Sequence, residues 1–243
     1  MWQIFGKDIK QFFGSFNGYL TLIGFAVVAG LFFWYLEGPN NLLFSGFADP
    51  TPAFRLLPWL LIFVLPAVSM RAFSEEYRTG TAEILLTKPV TTGKIVAGKI
   101  LAVFGIGILM ILPLGIYFLG MHRLMIPGER IDTGMVLAAL TGLLLLIGIF
   151  SATGVWVSSL TRSQTGAYLG GVFVLFLLYY GFYGLASFQW VGGADYFLRR
   201  LSLAGVYDRF TGGLIDWNAV AYLIFWILLF SYLSVWSLNK QQR

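Results

Sequence analysis

The sequence predicts an all-α polytopic membrane protein with six transmembrane helices. Three observations carry this. Charged residues make up 11% of the 243 residues and hydrophobic residues 58%, against roughly 25% charged in a soluble domain. The mean hydropathy is +0.79. The charges cluster, and between them lie six uncharged runs of 15 residues or more. Soluble globular and disordered chains are excluded, and six spans of about 20 residues leave no room for a large soluble domain. The chain therefore reads as one transmembrane domain over 1–243. There is no cysteine, so disulfides and cysteine metal sites are excluded. The net charge of +5 would suggest nucleic acid in a soluble protein. Here it is read as topology, with no nucleic-acid partner.

Residues 2–16 come first. On a helical wheel with Phe5 at zero, Trp2, Phe5, Ile9, Phe12, Phe13 and Phe16 fall within an arc of about 100°. Gln3, Lys7, Lys10 and Gln11 face the other way, with Ile4 as the exception. This predicts an interfacial amphipathic helix on membrane lipid. It serves either as a plain anchor or as a lever touching a partner.

The runs follow in order. Asn17–Leu36 has 20 residues. It is too long for a signal-peptide core, and no small-x-small site follows it. Leu56–Met70 has only 15, but Arg55 and Arg71 can snorkel to the interfaces. Pro58 and Pro66 leave a re-entrant segment as its alternative. Ile100–Met121 has 22 residues, with Pro113 placed to kink it. Thr133–Thr161 has 29 and Ser163–Ala194 has 32. As one helix the latter would be about 48 Å long, so a break is expected around Gly184–Gly193. Its Gly166-x-x-x-Gly170, with Ser163, Ala167 and Gly171, allows close helix packing. Trp217–Asn239 has 23 residues.

Six spans put both termini on one side. That side holds residues 1–16 and 71–99, Arg162 and the C-terminus. It carries ten of the 16 Lys and Arg and four of the 11 acids, leaving six and seven opposite. The difference, +6 against −1, places it in the cytoplasm by the positive-inside rule. Removing the second run would destroy this alternation, so it is kept as a span. Trp34, Tyr35, Trp59, Trp217 and Trp236 sit at span ends, as headgroup-level aromatics do.

The longest cytoplasmic loop is 71–99. Glu75 and Glu76 stand where the second span ends, and Gly80-Thr81 breaks that helix. Glu83–Thr87 then forms a short helix stopped by Pro89, and Thr91 and Thr92 offer N-caps for the third span. The segment is either a docking knob or a solvated connector. Gly93–Lys99 matches the start of a phosphate-binding loop, but Ile100 stands where a magnesium-binding Ser or Thr is needed and no strand precedes it. It reads as a chance match in a lysine-tipped membrane helix. The lone His122 reads as an interface residue. With no charge expected mid-span, there is no proton relay, and no catalytic, cofactor-binding or metal constellation is present. The external stretch 194–216 is too charged to span. It reads as an amphipathic re-entrant helix with a Gly212-Gly213 turn, or as a solvated loop.

Glu75-Glu76, Gly80-Thr81-x-Glu83-x-Leu85-Leu86, Lys88-Pro89 and Gly98-Lys99 together resemble the signature of ABC-2 type transporter permeases. Pro58-Trp59, Pro66-Ala67, Met70-Arg71 and Leu86-Thr87-Lys88-Pro89 look like the permease subunit of the gliding-motility-associated ABC transporter. The resemblance implies a multi-pass permease of the bacterial cytoplasmic membrane. It implies separate cytoplasmic ATPase subunits that hold ATP and Mg, so the chain itself is no enzyme and carries no cofactor. It also implies a second permease-type membrane subunit, identical or related, in the gliding family one with a large external domain. Residues 71–89 would be the coupling helix seated on the ATPase, through Arg71, Glu75, Glu76, Arg78, Gly80, Thr81, Glu83, Leu85, Leu86, Lys88 and Pro89. The alternative is a mechanical subunit that passes ATPase motion to an external partner and transports nothing.

Overall fold

The computed structural model describes residues 1–38, 41, 49–80, 91–113, 115–116, 118–120, 132–187 and 201–241. All regular structure among them is helical. Six helices among the described residues are long and apolar enough to cross a membrane: 16–35, 51–78, 92–111, 133–160, 164–185 and 217–240. The chain is thus a multi-pass membrane protein, and the 15-residue second run is part of a continuous crossing rather than a re-entrant loop.

Helix α1 (Trp2–Phe13) ends at a Gly14-Ser15 turn, and α2 (Phe16–Gly30) begins there. The Ser15 hydroxyl accepts from Gly18 N–H and caps α2. This corrects the placement of Phe16 on the interfacial helix. It is the first residue of α2 and 79% exposed. A helical wheel continues through any turn it cannot see, and the Ser15 cap is what stops α1. A π-helical turn, Leu31–Tyr35, completes the first span.

Helix α3 (Thr51–Ser69) carries Pro58 and Pro66 inside it, and α4 (Arg71–Arg78) follows after one residue. Gly80, at φ +71°, then turns the chain away. Helix α5 (Thr92–Ile111) starts eight residues before the uncharged run predicted and stops before Pro113. Helix α6 (Thr133–Leu160) is capped by Asp132, whose carboxylate accepts from Gly134 and Met135 N–H. Helix α7 (Gln164–Phe176) runs through a π-helical turn, Leu177–Gly181, into α8 (Phe182–Ser187). The expected break at 184–193 falls mostly outside the described residues. Helix α9 (Leu203–Thr211) is capped by Ser202, and α10 (Trp217–Gln241) closes the chain.

Helix α6 is the central post, with α3, α5, α7, α9 and α10 packed around it. Between helices in lipid there is little hydrophobic drive, so close approach of backbones matters more. The glycines of α6 provide it. A Cβ at Gly142 would lie 2.7 Å from Phe210 and one at Gly148 2.8 Å from Ile227, and one at Gly154 would run into Ser69 Oγ. The small residues of α7 act alike, Gly171 against Pro66 and Gly170 against Val157. Their packing is within the chain.

One end of the bundle carries α1, α4, the start of α5 and the end of α6. The opposite end carries α9. There Tyr207 is fully buried and donates to Phe54 C=O at 3.1 Å. The Arg55–Asp208 pair beside it, at 3.9 Å, is at least half exposed on both sides and contributes little. Residues 203–211 are therefore a packed helix and not a solvated loop, with Gly213 at φ +81° turning the chain into α10.

Candidate functional site

The end opposite α9 is where the sequence concentrates its charge. Its structural centre is the joint between α3 and α4. Ser158 of α6 inserts its hydroxyl there. It accepts from Phe73 and Ser74 N–H at 3.0 and 3.2 Å and donates to Met70 C=O at 2.9 Å. A side chain inserted into the backbone ladder is a recognised cause of a bend. It also satisfies donors at the start of α4 that have no intrahelical partner.

Around this joint lies an ion cluster of four residues from three helices. Lys99 of α5 has a side chain only 1% exposed. Its ammonium lies 3.0 Å from Glu76 Oε1 and 3.7 Å from Asp8 Oδ2, and it donates to Ala72 C=O. It also sits 4.7 Å from the centroid of the Phe73 ring, a cation–π contact that strengthens on desolvation. Lys7 of α1, half exposed, donates to the same Glu76 Oε1 at 2.8 Å. Two cations and two carboxylates thus tie α1, α4 and α5 together. Burial in water-poor surroundings demands such pairing. Burial pushes the Asp8 carboxyl above its ordinary value, and the charges of Lys99 and Lys7 offset this only in part. Burial tends to lower the Lys7 ammonium, but the hydrogen bond to Glu76 and the charges of Glu76 and Asp8 prevail and leave it raised.

This overturns one expectation. Lys99 was read as the tip of a membrane helix, with no charge inside a span. It lies eight residues into α5, in the buried stripe with Ile95 and Val103. An uncharged run ends at any lysine, whether that lysine faces water or an internal carboxylate. The glycine before it has a packing reason too. A Cβ at Gly98 would lie 3.1 Å from Ile4 Cβ and from Met1 C=O. Ile4, the outlier on the wheel, is the α1 residue that meets it.

Of the residues expected to couple to a partner, Arg71, Glu75, Glu76, Arg78 and Gly80 are described. Glu76 is buried in the cluster, Arg71 and Glu75 are partly buried, and Arg78 and Gly80 are exposed. Thr81, Glu83, Leu85, Leu86, Lys88 and Pro89 lie outside the described residues, as does His122. On α1, Trp2 is 72% exposed. Phe5 and Ile9 face α5, where a Cβ at Gly105 would lie 3.6 Å and 3.8 Å from them, and Phe12 packs against the core. Sequence reasoning missed Lys7, Asp8 and Ser158. A signal existed for Asp8, which on the same wheel falls at about −60°, nearer the apolar arc than Lys7 or Lys10. Beside the cluster, α1, α2, α3, α4 and α5 line an open-sided cavity of about 380 Å³.

No curated protein matches the chain. The family model described as ABC-2 family transporter protein matches residues 52–243, which takes in α3 to α10 and so the joint, Glu76 and Lys99. With that match over most of its length, the chain belongs to the ABC-2 family of transporter proteins.

Proposed function

We propose that the chain is the membrane-spanning permease subunit of an ATP-driven transporter, whose energy comes from separate cytoplasmic ATPase subunits holding ATP and Mg. The single observation that carries this is the buried tie between α4, α5 and α1 through Glu76, Lys99, Lys7 and Asp8. A push on the segment after α4 would move the ends of two spans and the amphipathic helix as one unit. Transmission of motion needs such a rigid element with two discrete placements. In this reading residues 71–89 are the segment that couples to the ATPase. Arg78 and Gly80 reach the ATPase together with Thr81, Glu83, Leu85, Leu86, Lys88 and Pro89. Glu76 acts from inside, by holding α4 to α1 and α5, and Arg71 and Glu75 stand beside it on the same helix.

In this reading this end, with both termini, lies on the cytoplasmic side of a bacterial inner membrane, which the charge asymmetry supports. The domain runs over 1–243, since α1 is tied to α4 and α5. Pro58-Trp59, Pro66-Ala67 and Leu86-Thr87-Lys88-Pro89 support the gliding-motility-associated type. Its second membrane subunit is a permease-type chain with a large external domain.

The test is Glu83→Lys in the reconstituted complex. The variant is expected to insert normally but to bind the ATPase more weakly or to lose stimulation of ATP hydrolysis. Normal affinity with unchanged stimulated hydrolysis would refute the coupling role.

A further inference from the structure

The 380 Å³ cavity beside the ion cluster is of the size of a small-ligand site. Its walls are layered. On one side they are mostly apolar, with Leu20 of α2, Ala67 and Val68 of α3, and Val103 and Ile106 of α5, beside the Thr21 hydroxyl. Toward the end of the bundle they carry Asp8, Arg71, Glu75, Glu76 and Lys99.

The charges there do not all cancel internally. Asp8 and Glu76 are neutralised by Lys7 and Lys99. That leaves Arg71 and Glu75. Among the described residues neither has an ion-pair partner within 4.0 Å. Glu75 Oε2 is shielded from solvent and has no hydrogen-bond partner among them. A buried carboxylate oxygen without a donor is costly. The two residues stand one helical turn apart on α4. The cavity thus offers one carboxylate and one guanidinium, neither in an ion pair within 4.0 Å among the described residues, above an apolar slot that begins at the α2–α3–α5 seam.

We propose that this cavity binds a zwitterionic phospholipid with a primary ammonium, of the phosphatidylethanolamine class. Its ammonium donates to the Glu75 carboxylate, which lines the cavity. Its phosphate takes the planar guanidinium of Arg71, which suits phosphate oxygens geometrically. The first part of an acyl chain fills the slot between Leu20, Val68 and Ile106. A choline headgroup has no N–H to give Glu75, and a glycerol headgroup has no cation for it. The site therefore selects among lipids that share the same chains.

The experiment uses the full chain, delipidated in detergent and exposed to equal amounts of phosphatidylethanolamine, phosphatidylcholine and phosphatidylglycerol with identical acyl chains. Bound lipid is counted by native mass spectrometry. The wild-type chain is expected to prefer phosphatidylethanolamine by about tenfold, the scale of one charge-assisted hydrogen bond. Glu75→Gln should abolish the preference over phosphatidylcholine. Arg71→Gln should weaken both of these lipids alike, because they share the phosphate. Equal occupancy by the three lipids in the wild type overturns the proposal, and this comparison decides alone if a variant fails to fold. An undiminished preference in folded Glu75→Gln also overturns it. So does displacement of the lipid by equimolar soluble phosphoethanolamine, which would make the ligand a free headgroup and not a lipid.

Discussion

Replacing Lys99 by Met removes the ammonium and keeps an apolar stem of similar reach. The side chain is 1% exposed, so water cannot take the lost role. Glu76 loses a partner at 3.0 Å, Asp8 loses one at 3.7 Å, and Ala72 C=O loses its donor. Removing one member of a buried ion pair costs roughly 3–5 kcal/mol. Lys7 remains 2.8 Å from Glu76, so the lower end applies, about 3 kcal/mol. The cost should shrink as the pH falls, because protonation relieves the Asp8 carboxylate, which burial already pushes above its ordinary value. The double variant Lys99→Met/Glu76→Gln should recover part of the loss, with a coupling of about 1–3 kcal/mol. Equilibrium unfolding in mixed micelles, followed by tryptophan fluorescence, reads these values. A single-variant cost below about 1 kcal/mol, with strictly additive variants, would show that the cluster is not a unit.

Three further changes probe the surroundings. Asp8 holds its proton more tightly in the folded chain than its ordinary value of 3.8 implies, so its contribution to stability falls as the pH rises through the window above 3.8. Asp8→Asn should remove that slope; a wild-type and a variant profile that run parallel would contradict the burial argument. Ser158→Ala leaves Phe73 and Ser74 N–H without their acceptor and should cost about 1–3 kcal/mol by the same unfolding assay; no measurable change would mean the joint does not depend on it. Gly142→Ala puts a methyl group 2.7 Å from Phe210 and should cost about 1–3 kcal/mol, with faster hydrogen exchange across 203–211; unaltered exchange there would mean α9 packs elsewhere.

The spans were legible because an apolar helix in lipid cannot tolerate scattered charge. Thr133–Leu160 and Trp217–Gln241 follow the uncharged runs almost residue for residue. The amphipathic start was legible because a 3.6-residue period survives in a 12-residue helix. Its end was not, since only the Ser15 hydroxyl distinguishes a turn from another helical residue. Lys99 was misplaced because the partners that make its burial tolerable, Glu76 and Asp8, lie 23 and 91 positions away in the chain. The Gly98-Lys99 pair caught attention for its likeness to a phosphate loop, whereas its physical work is close helix approach and charge pairing. Ser158 gave no signal at all. A serine in a helix end can point anywhere, and only the α3–α4 bend gives it two donors to accept.

The most direct test of the central claim is chemical crosslinking of the chain in its native membrane, followed by gentle detergent purification and mass spectrometry. The account predicts a co-purifying ATPase whose crosslinks map to Arg78 and the following residues up to Pro89, together with a second membrane subunit. Recovery of this chain without an ATPase, after crosslinking as well, would remove the energy source and contradict the account.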